Sequence, residues 1–179
     1  MRELALHILD ILENSVRAGA THICVIIELD KEERWLTLVV KDNGPGLPVS
    51  PEQALDPFFT TKAEKRTGLG LSLFQAAAHQ AGGDLALSAS ESGGIQVRAT
   101  FQYHHIDRAP LGDMAGSLMA LLLSNSLICV SCVCRGPNGV FTVLSQDDET
   151  DAEAASPFAR ARVFAQRVRE AITQAGINT

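Results

Sequence analysis

Residues 3–29 read ELALHILDILENSVRAGATHICVIIEL and place a helical pattern directly before a strand pattern. Apolar side chains recur at helical spacing over residues 3–18 and predict a helix with one face toward a core. Gly19 predicts the end of that helix. Residues 22–29 are rich in β-branched side chains and predict a strand. The stretch therefore predicts an α/β fold in which this helix packs on a sheet.

The predicted helix also carries a polar stripe among its apolar residues. Steps of four, three, four and three residues align Glu3, His7, Asp10, Asn14 and Arg17 on one side of the helix. Asp10 and Asn14 are thus one turn apart and are candidates for part of a site. His7 is expected at the surface or behind the site residues.

The rest of the chain alternates strand and helix patterns. Strands are predicted at residues 35–41, 84–90, 95–103, 127–134 and 140–144, and helices at 71–81, 114–123 and 158–175. We expect a two-layer α/β sandwich with a mixed, mainly antiparallel sheet and helices on one face. A change of character after Tyr103 divides the chain into a domain at 1–108 and a C-terminal helix, hairpin, acidic linker and helix at 109–179.

Composition and charge narrow the functional classes. Hydrophobic residues make up 46% of the chain, enough for a sizeable core, and the formal net charge of -6 argues against a dedicated nucleic-acid binder. The longest apolar stretch, at residues 118–123, is far shorter than the ~20 residues of a membrane span. No signal-peptide pattern precedes the first helix. We expect a soluble, cytoplasmic protein.

Two glycine-containing motifs are candidates for ligand binding. In DNGPGL, residues 42–47, Asp42 ends a strand and can accept a hydrogen bond from an exocyclic amine. The same residues are also common in ordinary turns that have no ligand. In DPFFTTKAEKRTGLGLSL, residues 56–73, Gly-x-Gly opens a helix whose free N–H groups suit a phosphate chain. The basic residues before it suit phosphate as well, although a solvated basic loop explains them too.

The order of these motifs resembles the nucleotide-binding domain of the GHKL superfamily, which includes gyrase-type ATPases, heat-shock chaperones, histidine kinases and MutL-type ATPases. LENSVRAGA resembles the N box, DNGPGL the first glycine box, PFFTTK the F box and TGLGLSL the second glycine box. The resemblance covers residues 1–103, and PFFTTK followed by TGLGL is most similar to the histidine-kinase branch. It implies the ATP-binding fold of that superfamily, with ATP and Mg²⁺ as ligands.

The resemblance also implies roles for particular residues. Asn14 would coordinate Mg²⁺, Asp42 would bind the adenine amine, and Gly44 and Gly46 would shape the adenine pocket. Lys62 would reach the terminal phosphate from a lid at residues 47–67. Candidates for contact with the phosphate chain are Thr67, Gly68, Leu69, Gly70 and Leu71.

Three departures from the superfamily pattern leave questions open. Asp10 stands where hydrolytic members carry a glutamate that acts on the attacking water, and its shorter side chain puts its reach in doubt. Glu13 is the second-ranked carboxylate. The threonine that kinases carry after Gly-x-Gly is replaced, since Gly93-Gly94 precedes Ile95, so its hydroxyl is missing or supplied elsewhere. The usual first strand has no room, and either the C-terminal hairpin or another subunit would complete the sheet.

Two classes of function follow. The protein is an ATPase or a kinase acting on a separate protein, or it is a nucleotide-gated interaction module with negligible turnover. Self-phosphorylation is not expected, because the chain begins at the N box and His7 lies on the N-box helix. A protein partner or substrate is expected in either class, and a homodimer is an option.

Three features of the C-terminal third have two readings each. Cys132 and Cys134 share one face of a strand and Cys129 takes the other, which favours packing over a zinc or iron–sulfur site. His104 and His105 are interpreted as a surface pair at a strand end, although either one would have to complete such a metal site. The last helix packs on the sheet or docks a partner, and its predicted apolar stripe comprises Phe158, Ala161, Phe164, Val168, Ile172 and Ala175.

Overall fold

The computed structural model describes residues 3–30, 32–46, 50–55, 69–146 and 156–177. Five helices and six strands lie in these ranges. In chain order they are α1 (Leu4–Arg17), β1 (His22–Leu29), β2 (Trp35–Asp42), α2 (Pro51–Leu55), α3 (Leu69–Gln80), β3 (Leu85–Ala89), β4 (Ile95–Gln102), α4 (Met114–Ser124), β5 (Cys129–Gly136), β6 (Gly139–Leu144) and α5 (Pro157–Ala175).

The six strands form one sheet in the order β3-β4-β2-β1-β5-β6. β1 and β5 are parallel, whereas the other four neighbouring pairs are antiparallel. The predicted mixed, mainly antiparallel sheet is therefore confirmed. The parallel pair lies beside the edge strand β6, and it joins a strand from the first part of the chain to one from the last part.

The long helices cover one face of this sheet. Along β1, Val25 and Ile27 point to the helices and are fully buried, while the alternate residues Cys24 and Ile26 are only half-buried. Strand alternation explains the pattern, because successive side chains point to opposite faces. The same alternation recurs along β4 and β5. The predicted two-layer sandwich with helices on one face is confirmed, and the opposite face of the sheet carries no helix in the described part of the chain.

Local sequence explains how the helices begin and end. The first N–H groups of α1 are satisfied from a distant segment, since Leu4 N and Ala5 N donate to the carbonyls of Pro110 and Leu111, each at 2.9 Å. α5 begins with a Ser156 cap that accepts from Ala159 N at 3.2 Å. Among the described residues, no helix is both long and apolar enough to cross a membrane.

The C-terminal hairpin completes the sheet. Of the two ways predicted for completing it, pairing of β5 with β1 is the one found, in the register His22↔Cys129 to Glu28↔Arg135. The buried side chains of β5 belong to the same core cluster as those of β1. The boundary predicted between residues 108 and 109 lies in the connector before α4, and separate folding of the two parts stays a prediction.

Two predicted placements need correction. His7 is buried, with 5% exposure, because its ring stacks on Phe74 of α3 at a centroid distance of 5.4 Å. Of its two predicted places, the surface is therefore wrong, and a place behind the site residues stays a prediction. Phe158, predicted to lie on the apolar stripe of the last helix, is 57% exposed at the first turn of α5. The rest of that stripe is buried, so α5 packs on the sheet and on α4.

Candidate functional site

Asp42 lies at the end of β2 and points to the helical side of the sheet. Its side chain is buried, with 5% exposure. Oδ1 accepts hydrogen bonds from the backbone nitrogens of Gly44 at 2.9 Å and Ile95 at 3.1 Å. Oδ2 accepts a hydrogen bond from Ser15 Oγ of α1 at 2.6 Å. The carboxylate is therefore fixed by three donors from three different segments.

The hydrogen bonds from the described residues leave Asp42 one unused acceptor position. An ionised carboxylate has about four lone-pair sites, two on each oxygen. Both sites of Oδ1 and one site of Oδ2 are occupied by Gly44, Ile95 and Ser15. The remaining site on Oδ2 is a strong acceptor that suits an amine and repels a carbonyl oxygen.

The turn between β3 and β4 supports Asp42 from behind. Ser92 Oγ donates to the Asp42 carbonyl at 2.9 Å and lies 2.7 Å from Ser90 Oγ. Gly94 packs so closely that a Cβ there would collide with Asp42 Oδ1 and lie 2.6 Å from Gly44 N. Only glycine fits at this position, because a side chain would displace the carboxylate.

Sequence analysis missed Ser15, Ser92 and Gly94 as contacts of Asp42. One signal was present, since the expected threonine after Gly93-Gly94 is replaced by Ile95 and the question of its hydroxyl was open. Two hydroxyls, one from α1 and one from the turn, hydrogen-bond to Asp42. Sequence order alone did not point to Ser15, which lies 27 residues before Asp42.

The side chain of Asn14 differs from that of its neighbour Ser15 in exposure and in hydrogen bonding. Its side chain is exposed, and Oδ1 accepts a hydrogen bond from Arg17 Nη1 at 3.3 Å. Arg17 also lies 3.8 Å from Glu13 in an exposed i, i+4 pair. Such surface pairs contribute little, so the amide oxygen of Asn14 can exchange this partner for another.

Asp10 lies one turn before Asn14 and faces the start of α3. It is half-buried, and a Cβ placed at Gly70 would lie 3.6 Å from Asp10 Cβ. The His7–Phe74 stack holds α1 and α3 together one turn earlier. The structure therefore brings Asp10 and the first turn of α3 together, as the predicted phosphate end of the site requires.

The structure describes some of the remaining predicted site residues but not all of them. Gly44 lies between Asp42 and Ala20, and Gly46 has a φ of +83° that favours glycine. Leu71 lies in the first turn of α3, and the backbone of Leu69 begins that helix. The other predicted contacts lie outside the described residues, namely Lys62, Thr67 and Gly68.

The three cysteines of β5 are divided between the two faces of the sheet. Cys132 and Cys134 are fully buried on the helical face of β5, with Sγ atoms 3.9 Å apart, while Cys129 lies on the other face. The hydrogen bond with Cys134, together with burial, raises the pKa of Cys132 well above its usual value. No group of metal ligands occurs among the described residues.

Three curated proteins are similar to parts of the chain. The two-component sensor PprA of Pseudomonas aeruginosa is 44% identical over 69 residues, which cover 37% of this chain and 8% of PprA. The tetrathionate sensor histidine kinase TtrS of Salmonella typhimurium is 34% identical over 79 residues, covering 44% of this chain and 13% of TtrS. The sensor histidine kinase CpxA of Escherichia coli is 35% identical over 94 residues, covering 49% of this chain and 20% of CpxA. The chain therefore spans a fifth or less of each relative.

The chain is also similar to a solved structure and matches a family model. The ATP binding domain of PrrB from Mycobacterium tuberculosis matches with a TM-score of 0.44 and 23% identity, covering 55% of this chain and 65% of that chain. The model of the histidine kinase-, DNA gyrase B-, and HSP90-like ATPase family matches residues 2–105, more than half of the chain. The chain belongs to this family, as a histidine-kinase-like ATPase domain.

Proposed function

We propose that the chain binds Mg²⁺-ATP between α1, the end of β2, the β3–β4 turn and the start of α3. The observation that carries this proposal is the buried Asp42 carboxylate, fixed by three donors with one acceptor site unused. A pre-fixed carboxylate in a buried position selects an amine over a carbonyl, since a mismatched polar group would stay unpaired. The adenine amine fits this site.

The residues at the other end of the site suit a metal–phosphate group. The Asn14 amide oxygen is a hard ligand of the kind that Mg²⁺ accepts, and it is exposed, with Arg17 as its partner among the described residues. The N–H groups at the start of α3 suit phosphate oxygens. Bound ATP would supply the phosphoryl group, and Asn14 would hold a metal ion that offsets the negative charge of the phosphates.

Asp10 is the proposed catalytic carboxylate. It lies beside Gly70 at the start of α3, where the proposed phosphate chain ends. From there it would orient a water molecule, or a hydroxyl of another protein, and accept its proton. We propose an ATPase, or a kinase that acts on a separate protein, in keeping with the sensor histidine kinases that the chain resembles in part.

A turnover assay tests this proposal. Purified protein is incubated with Mg²⁺ and ATP labelled at the terminal phosphate, and released phosphate and labelled protein are followed separately. Asp10→Asn should lower turnover at least tenfold while ATP still binds. Glu13→Gln is the matched control, because it removes the neighbouring carboxylate of the same helix, which is exposed and pairs with Arg17.

Each outcome has a distinct meaning. Phosphate release that depends on Asp10 supports the ATPase, and label on an added protein supports the kinase. Tight ATP binding with no turnover in the wild type favours the nucleotide-gated interaction module. Failure to bind any adenine nucleotide contradicts the proposal as a whole.

A further inference from the structure

The face of the sheet opposite the helices carries a groove of about 470 Å³ at the end where β1 begins. Its floor includes one row of cross-strand neighbours, Lys41–Cys24–Ser131–Leu144, which runs from β2 through β1 and β5 to β6. The groove size lies within the roughly 300–1,000 Å³ typical of small-molecule sites. Because Lys41 and Asp42 are consecutive in β2, they point to opposite faces, so the groove opens on the other face of the sheet from the proposed nucleotide pocket. The two share only the β3–β4 turn, which lines one side of the groove.

The two ends of the row differ in chemistry. Lys41 is half-buried, and within the described part of the chain it makes no ion pair. Leu144, on the edge strand, is 47% exposed with its side chain at the groove. The four strands place these two residues about 14 Å apart, three strand spacings of ~4.8 Å. A cation at one end and an apolar contact at the other define an amphipathic site.

We propose that this groove binds a small amphipathic anion about as long as the row. Its negative head lies at Lys41, and its apolar body crosses Cys24 and Ser131 to Leu144. Glu91, the one carboxylate among the lining residues that the structure describes, is exposed on the β3–β4 turn. It disfavours a second negative charge there and so restricts the ligand to one anionic group.

Binding of the fluorescent anion 8-anilinonaphthalene-1-sulfonate to the full chain tests the proposal. Lys41→Met should weaken its binding about tenfold, because it removes a charged hydrogen-bond donor and keeps the aliphatic stem. Arg98→Met is the matched control, since Arg98 is an exposed cation on the same face of the sheet but does not line the groove. Decanoate should displace the probe, and uncharged decan-1-ol should displace it less.

A variant that fills the groove locates the probe. Ser131 lies in the middle of the row, and Ser131→Leu adds bulk there without touching the helical side of β5. We expect Ser131→Leu to reduce probe binding at least fivefold, and we expect saturating ATP to leave it unchanged. Equal affinity in Lys41→Met and Arg98→Met, or displacement of the probe by ATP, would overturn the proposal.

Alkylation of the cysteines tests the proposal on the wild-type protein, without any substitution. Cys24 and Cys129 line the groove and are half-buried, whereas Cys132 and Cys134 are buried in the core. Iodoacetate and iodoacetamide differ in charge, so their rate ratio at Cys24 reports the local preference for anions. The wild type should favour iodoacetate at Cys24 about threefold relative to a free cysteine peptide, and decanoate should protect Cys24. A ratio equal to that of the peptide, without protection, contradicts the proposal.

Discussion

Asp42 and Asn14 are predicted to hold opposite ends of one ligand, yet the protein holds them in different ways. Asp42 is buried and accepts hydrogen bonds from Gly44, Ile95 and Ser15. Asn14 is exposed, and the hydrogen bond that its side chain makes among the described residues is a 3.3 Å contact with Arg17, three residues later on the same helix. The predicted adenine end is therefore built by long-range contacts, whereas the predicted metal end depends on one helix.

This difference suits the two predicted roles, which are base recognition by Asp42 and metal binding by Asn14. A carboxylate whose partners are fixed by the fold discriminates between ligands without rearranging, because its donors are already in place. An exposed amide loses little when it exchanges a weak surface partner for a metal ion. We therefore expect changes at Asp42 to alter both folding and base recognition, and changes at Asn14 to alter only the metal-dependent part of binding.

The largest effect is expected from Asp42→Asn. The amide has an NH₂ group in place of one carboxylate oxygen, so the donors to that oxygen lose their acceptor, and each hydrogen bond to a charged group is worth about 1.5–3 kcal/mol. ATP affinity should fall at least 100-fold in equilibrium titration, with a lower free energy of unfolding. Unchanged affinity would mean that the base is held elsewhere.

The second-largest effect is expected from Gly94→Ala. Its Cβ would collide with Asp42 Oδ1, so the carboxylate or the β3–β4 turn must move. We expect a loss of about 2 kcal/mol in the free energy of unfolding, measured with urea. Gly70→Ala is the control, because its Cβ meets Asp10 Cβ at an ordinary 3.6 Å and should change stability little. Equal losses for the two variants would contradict the close packing behind Asp42.

Ser15→Ala removes one of the three donors to Asp42 and should have an intermediate effect. We expect a loss of about 1–2 kcal/mol in the free energy of unfolding and a several-fold weaker affinity for ATP. Ser124→Ala changes an exposed serine at the end of α4 and should change neither quantity. Identical behaviour of the two variants would show that Ser15 does not support the carboxylate.

The smallest effect on stability is expected from Asn14→Ala. An exposed side chain with one weak partner should contribute less than about 0.5 kcal/mol. Asn43→Ala is the matched change, because Asn43 Oδ1 accepts from the backbone nitrogens of Thr21 and His22, both at 2.9 Å. Asn14→Ala should abolish the gain in ATP affinity that Mg²⁺ gives over EDTA, whereas Asn43→Ala should lower the melting temperature and keep that gain.

Local patterns in the sequence predicted the elements but not all of their neighbours. The apolar spacing of α1 and the β-branched run of β1 were sufficient to place both, because each pattern lies within one segment. The parallel pairing of β1 with β5 joins residues more than 100 positions apart, as in His22↔Cys129. Nothing in either strand alone specifies that pairing, so completion of the sheet stayed an open alternative until the structure.

The candidate site divides in the same way. Asp42 and Asn14 were predicted as site residues because their motifs are contiguous in sequence and similar to those of a known superfamily. Ser15 was missed because its role depends on a residue 27 positions later, and the choice between two places for His7 stayed open because Phe74, which covers it, lies on another helix. Contacts between segments decide such roles, and a single sequence does not encode them in a local pattern.

The central claim is that Asp42 uses its one unused acceptor site to recognise an exocyclic amine. Equilibrium titration of the full chain with ATP and with inosine triphosphate tests it directly, since the two ligands differ in the base, where a carbonyl replaces the amine. The account predicts that ATP binds at least 100-fold more tightly in the wild type and that Asp42→Asn removes most of this preference. Equal affinities of the wild type for the two nucleotides would contradict it.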